Sequence, residues 1–124
     1  MSMTPDVKER AASVEAPLTG NCAVLSVTDT AARFAIPATW AGKFVTLLMD
    51  GCDADIVFGG SSVSCTYGQT SSVTSEAITI NAASGMRLKD GAYGGFQMPL
   101  AARATHFSVD CVASGSGKLY IYLG

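Results

Sequence analysis

Between two apolar runs lies Met49-Asp50-Gly51-Cys52-Asp53-Ala54-Asp55-Ile56, where three aspartates and a cysteine fall within six residues. Carboxylates this close together suit an oxygen-liganded cation site, and calcium is the first ion to test. A calcium loop of the helix–loop–helix type needs oxygen ligands at its positions 1, 3 and 5, a glycine at 6 and a glutamate at 12. Counted from Asp50, position 3 is Cys52, position 5 is Ala54 and position 12 is Ser61; counted from Asp53, position 6 is Phe58. Neither frame fits. Asp50-Gly51 is instead a favoured hairpin dipeptide between strand-like runs, with Asp53 and Asp55 opening the next strand as solvated carboxylates. The alternative is an irregular calcium site that draws on backbone carbonyls.

The remaining chemistry-bearing residues are sparse. Cys22, Cys52, Cys65 and Cys111 are spaced by 30, 13 and 46 residues, with no C-x-x-C pair, and match no common zinc pattern. A reducing compartment disfavours disulfides, and Cys111 alternates with Phe107 and Val109 on one side of a strand. Buried structural thiols are the expected state, since free cysteine behaves in a core as a small hydrophobe; disulfides are the second reading. Gly115-Ser116-Gly117-Lys118 looks like the end of a phosphate-binding loop, but Val112 stands where the first glycine belongs and Leu119 replaces the Ser or Thr. It reads as a hairpin turn. No nucleophile motif of the G-x-S-x-G type is present, and the single histidine, His106, has strand neighbours and no marked partner. An enzyme is not expected, and no cofactor or metal is called for.

The elements that must carry these residues read as strands. From Asn21 onward hydrophobicity alternates with period two and is broken by turn residues. Strands are predicted at Cys22–Val27, Arg33–Ile36, Phe44–Met49, Asp55–Phe58, Val63–Tyr67, Ala77–Ile80, Met86–Leu88, Gly95–Met98, His106–Val112 and Lys118–Leu123. Thr66–Ser75 is polar and uncharged, a surface loop or a contact loop. No helical period survives after position 20. Many short strands at this spacing predict an all-β, single β-sandwich domain, jelly-roll-like, over residues 19–124. Residues 1–18 form an N-terminal arm with a short helical stretch at about Pro5 to Ala12, where Thr4 caps, Pro5 takes the first helical position and Asp6 pairs with Arg10. That stretch is too short to be stable alone and is expected to order against a neighbour.

The aromatic residues offer contacts rather than catalysis. Trp40 reads as a core-edge anchor, with a sugar-stacking platform as the alternative. Tyr120 and Tyr122 alternate with Leu119, Ile121 and Leu123, so they form an outward stripe, paired across strands or placed at a subunit interface. Tyr67 and Tyr93 join them as candidate contact residues.

Composition narrows the class. The chain has 124 residues, one domain's worth, with 15% charged residues, 48% hydrophobic and a net charge of −2. That is too apolar for disorder and carries no basic patch for nucleic acid. The low charge is compatible with a surface covered by a partner. The N-terminus lacks the apolar core of a signal peptide, and no apolar run approaches the roughly 20 residues of a membrane span. Synthesis as a soluble cytoplasmic product is expected.

Four segments read together resemble a known group: Ile36-Pro37-Ala38-Thr39-Trp40-Ala41-Gly42-Lys43-Phe44-Val45, Asp53-Ala54-Asp55-Ile56-Val57-Phe58-Gly59, Thr105-His106-Phe107-Ser108-Val109 and Ser114-Gly115-Ser116-Gly117-Lys118-Leu119. Their cadence resembles that of small β-sandwich structural proteins from tailed-bacteriophage virions, including capsid decoration (cement) proteins, over residues 33–124. The shared motifs are turns and core positions, so they carry no catalytic or binding residue. The resemblance implies a virion protein that contacts the major capsid protein and itself, as a small cyclic homo-oligomer such as a trimer. The alternative is a receptor- or carbohydrate-binding module of a tail or head fibre, with Trp40, Tyr67, Tyr93 and the Thr/Ser-rich loop as its contacts.

Overall fold

The computed structural model describes residues 18–91 and 95–124. Apart from Leu18, the arm read over residues 1–18, with its helical stretch, lies outside the described residues. So does Tyr93. Among the described residues, period-two alternation becomes ten strands: β1 (Cys22–Thr28), β2 (Ala32–Ala35), β3 (Phe44–Asp50), β4 (Ala54–Gly59), β5 (Ser72–Thr74), β6 (Ala77–Thr79), β7 (Met86–Leu88), β8 (Phe96–Pro99), β9 (His106–Cys111) and β10 (Ser116–Leu123). The only helical piece among the described residues is a single 3₁₀ turn, Ala38–Trp40, entered from Pro37 at φ −55°.

Two four-stranded antiparallel sheets hold eight of the strands, in the orders β1-β10-β3-β8 and β2-β9-β4-β7; β5 and β6 pair only with each other. The alternation explains how the sheets meet. Val27, Val45, Leu47, Met49, Leu119 and Ile121 of the first sheet and Ala54, Ile56, Leu88, Phe107, Val109 and Cys111 of the second join one buried cluster. One shared core between two antiparallel sheets is the layering of a β-sandwich. Trp40 closes one margin of that core, 4% exposed. Phe34 and Phe58 flank Phe107 with ring centroids 5.4 and 5.6 Å away, within the range of favourable tilted aromatic pairs.

Three expectations are corrected by the pairing. First, Asp50-Gly51 is not a hairpin: β3 pairs with β10 and β8, while β4 pairs with β9 and β7. The turn carries the chain across from one sheet to the other. Gly115–Lys118 is not a hairpin turn either: Ser116–Lys118 open β10, and the turn Val112–Gly115 carries the chain across between β9 and β10. The two corners pack backbone to backbone. A Cβ on Gly51, at φ +116°, would lie 2.9 Å from Gly117 Cα and from Ser116 O, and one on Gly117 would strike Asp50 O. Glycine is required at both places because the corners approach too closely for a side chain.

Second, Val63–Tyr67 is not a strand. Its amides are paired without a ladder: Cys65 N donates to Ser108 Oγ (2.9 Å), Tyr67 N to Asp110 Oδ2 (2.8 Å) and the next residue, Gly68 N, to Asp55 Oδ2 (2.8 Å), while Val63 N and Thr66 N reach the carbonyls of Gly60 and Ala83. Backbone donors satisfied this way need no neighbouring strand. The segment lies across the outer face of the second sheet. Third, the Thr66–Ser75 stretch is not loop throughout, because its end forms β5. The two-residue turn from β5 to β6 places Ser75 at φ 50° and Glu76 at φ 74°.

Candidate functional site

The two outer faces of the sandwich differ, and the difference follows from which polar side chains each presents. On the second sheet, Asp55 of β4 has Arg87 of β7 on one side and Asp110 of β9 on the other, in register. Asp55 was expected to be solvated but is 3% exposed. Arg87 Nε donates to its Oδ1 at 2.5 Å, and Gly68 N donates to its Oδ2. The Arg87 guanidinium also lies 4.1 Å above the Tyr67 ring, a cation–π contact that seats the loop. Burial of Asp55 follows from the loop: the carboxylate accepts a backbone donor that would otherwise go unpaired. The other carboxylate oxygen of Asp110, Oδ1, is buried without a partner. This face is closed.

Beside it, Asp53 also has work other than a cation site. Its Oδ1 accepts from Asp90 N (2.8 Å), its Oδ2 from Lys89 Nζ (3.0 Å), and Asp90 Oδ1 accepts from Gly51 N (2.7 Å). The Asp90 amide first, and Lys89 second, hold the Asp53 carboxyl below its ordinary value of 3.8. Asp53 of the opening motif, together with Asp90, thus fastens the inter-sheet corner to the segment after β7. Among the described residues no group of three or more His, Cys, Asp or Glu side chains is arranged to hold a metal ion.

The outer face of the first sheet is the contrasting surface. Register aligns Val24, Tyr120 and Leu48 in one row and Cys22, Tyr122 and Thr46 in the next. Both tyrosines point away from the core, as their alternation with buried Leu119 and Ile121 requires. They sit on β10, which is last in the chain yet central in its sheet. Val24 and Phe44 remain 53% and 55% exposed. Thr46 donates to Gly124 O at 2.6 Å, so its hydroxyl adds no free polar group. Lys118, bonded to Ser26 Oγ (2.8 Å), and Asp50 mark the polar end. The result is an apolar and aromatic band with charge at one end.

The other candidate contact residues are dispersed. Trp40 is in the core, as the anchor reading had it, and lines an apolar cleft of about 200 Å³ with Leu25, Phe34, Ile36 and Phe107. Tyr67 is half-buried beneath Arg87 on the opposite face. His106 is half-buried, with Nδ1 2.8 Å from Thr105 Oγ1. Phe44 and Leu48 add apolar outer surface that the sequence signals, since β3 reads Phe-Val-Thr-Leu-Leu-Met, apolar on both faces of one strand; exposed Val24 lies on β1 and carries no such signal.

No protein-family model, no curated protein and no solved structure matches the chain. No helix of the described residues is long and apolar enough to cross a membrane.

Proposed function

We propose that the protein is a structural subunit that acts by burying surface, and within that class a capsid decoration protein of a tailed-phage virion. It would bind the major capsid protein and further copies of itself. The observation that carries this reading is the outer face of the first sheet. A row of Val24, Tyr120 and Leu48 beside Tyr122, with charge confined to one end, has the composition of an interface core. A specific interface removes roughly 1,200–2,000 Å² from water, and repetition over a shell multiplies weak contacts into firm attachment.

The architecture supports the same reading. Without the β5–β6 hairpin, the eight sandwich strands numbered in chain order run 1-8-3-6 in one sheet and 2-7-4-5 in the other. That order supports reading the sandwich as a jelly roll, an architecture used by viral capsid and lectin domains alike. A lectin-like or receptor-binding module would call for exposed aromatics gathered beside polar groups. Here Trp40 is buried and Tyr67 is stacked under Arg87.

Particles assembled with and without the protein provide the test. A decoration protein leaves assembly intact and its loss lowers the temperature at which particles rupture, because every junction between shell subunits is weakened. Particles of unchanged heat resistance but reduced adsorption to cells would replace this reading with the receptor-binding module.

A further inference from the structure

Two of the four cysteines meet in the core. Cys52, in the β3–β4 corner, and Cys111, at the end of β9, are thiols with Sγ atoms 2.9 Å apart. That is inside the roughly 3.5–4 Å at which non-bonded heavy atoms settle. The backbone places them there. Cys111 is in register with Ala54, two residues beyond Cys52, and Val112 N donates to Asp53 O at 3.1 Å. Cys52 is therefore the diagonal neighbour of Cys111 on the core face. The turn before β10 packs closely against this corner, since a Cβ on Gly115 would lie 3.2 Å from Cys52 Cβ. The other two cysteines are differently placed: Cys22 is exposed, and Cys65 is buried within the outer loop, its amide bonded to Ser108.

We propose that Cys52 and Cys111 are the sites of an internal disulfide that locks the β3–β4 corner to β9. The inference does not depend on the functional reading above. Bond formation breaks two S–H bonds and joins the two sulfurs, releasing two protons and two electrons. A small disulfide oxidant such as oxidised glutathione accepts the electrons. One cysteine thiolate attacks it and expels one glutathione; the second cysteine thiolate then displaces the other from the mixed disulfide.

The cross-link belongs to folding, not to switching. Both thiols are buried in the native chain, and burial, followed by the neighbouring Cys52, pushes the Cys111 thiol well above its ordinary range. A buried neutral thiol is a poor nucleophile, so native reduced protein reacts slowly and the bond forms while the chain is still open. Once formed, it is shielded from exchange. It closes a segment with ends 59 residues apart, long enough for a large loss of disorder in the unfolded chain.

The test is to refold the full chain from denaturant in a buffer of reduced and oxidised glutathione, alkylate it and map the peptides. The expected result is a linked Cys52–Cys111 peptide and a thiol count, taken in denaturant, that falls from four to two. The oxidised protein should melt about 10 °C or more above the same protein kept in reductant. A Cys52→Ser, Cys111→Ser variant should show no such difference; if it does not fold, the wild-type comparison with and without reductant decides alone. Four free thiols after oxidative refolding, a dominant link involving Cys22 or Cys65, or an oxidised form that melts no higher than the reduced one would each overturn the proposal.

Discussion

Asp55 and Asp110 stand opposite each other on β4 and β9, and each gives a carboxylate oxygen to a backbone amide of the same loop, Gly68 N and Tyr67 N respectively. Two like charges in register repel. Arg87 offsets this on the Asp55 side only, and Asp110 Oδ1 is left without a partner. The pair holds the loop at an electrostatic cost.

That cost can be measured by replacing each member in turn. Asp55→Ala removes the acceptor for Arg87 and Gly68 at once. Breaking a fully buried ion pair costs about 3–5 kcal/mol; because Arg87 is 41% exposed, a loss of roughly 2–3 kcal/mol is expected in urea unfolding. Asp110→Asn keeps an oxygen for Tyr67 N and removes the charge facing Asp55. Its melting temperature is expected to match or exceed that of the parent. A fall of more than about 1 kcal/mol would show that Asp110 Oδ1 has a donor, such as an ordered water.

The two inter-sheet corners set a second expectation. Gly51→Ala combines a left-handed backbone at φ +116° with a methyl group 2.9 Å from the facing backbone. Strain and overpacking each contribute about 1–3 kcal/mol, so a loss of at least about 2 kcal/mol is expected in thermal unfolding. Gly60→Ala is the control. A Cβ there meets nothing within 4 Å, and its effect should stay within about 0.5 kcal/mol or be slightly favourable.

Stability should decline at both ends of the pH scale, for different groups. The Asp53 carboxyl is lowered in the folded state by the Asp90 amide first and Lys89 second. Its contribution is therefore present above the unfolded value of 3.8 and lost as pH falls through the folded one. Asp53→Asn should flatten the acid limb of the stability curve. The Cys65 thiol is raised from 9.0 to about 11, by burial first and then by the charges of Asp55 and Asp110. Its contribution is present below pH 9.0 and is lost as pH rises towards about 11. Cys65→Ala should flatten that alkaline limb. Chemical denaturation at a series of pH values reads both.

The outer band of the first sheet predicts a separation of folding from association. Val24→Lys places a charge on an exposed position, so folding stability should change by no more than about 0.5 kcal/mol. Introduced into an interface core, the same charge should shift sedimentation towards the monomer. A sedimentation profile unchanged from the parent would show that self-association, if present, uses another surface.

The sequence by itself determined the strands whose two faces differ. β10 alternates Leu119 and Ile121 with Tyr120 and Tyr122, and burial on one side only requires the tyrosines to face out. The same rule put Cys111 in the core beside Phe107 and Val109. It also excluded a helix–loop–helix calcium frame at Asp50–Asp55 by ligand position alone. What it could not determine was where each turn leads. Asp50-Gly51 and Ser114–Gly117 supply the backbone freedom of a tight turn, and that freedom serves a return to the same sheet or a crossing to the facing one equally well. Only the pairing of β3 with β10 and β4 with β9 decides between them. β5 was missed for a related reason: its turn uses Ser75 and Glu76 at positive φ, where glycine or asparagine is the usual signal. Val63–Tyr67 shows the limit most directly. Its alternation suits a strand, but Ser108 and Asp110 supply acceptors for Cys65 N and Tyr67 N from 43 positions away, and Asp55 supplies one for the next residue, Gly68. Local sequence fixes which backbone groups need partners, whereas only the assembled sheets fix which partners are within reach.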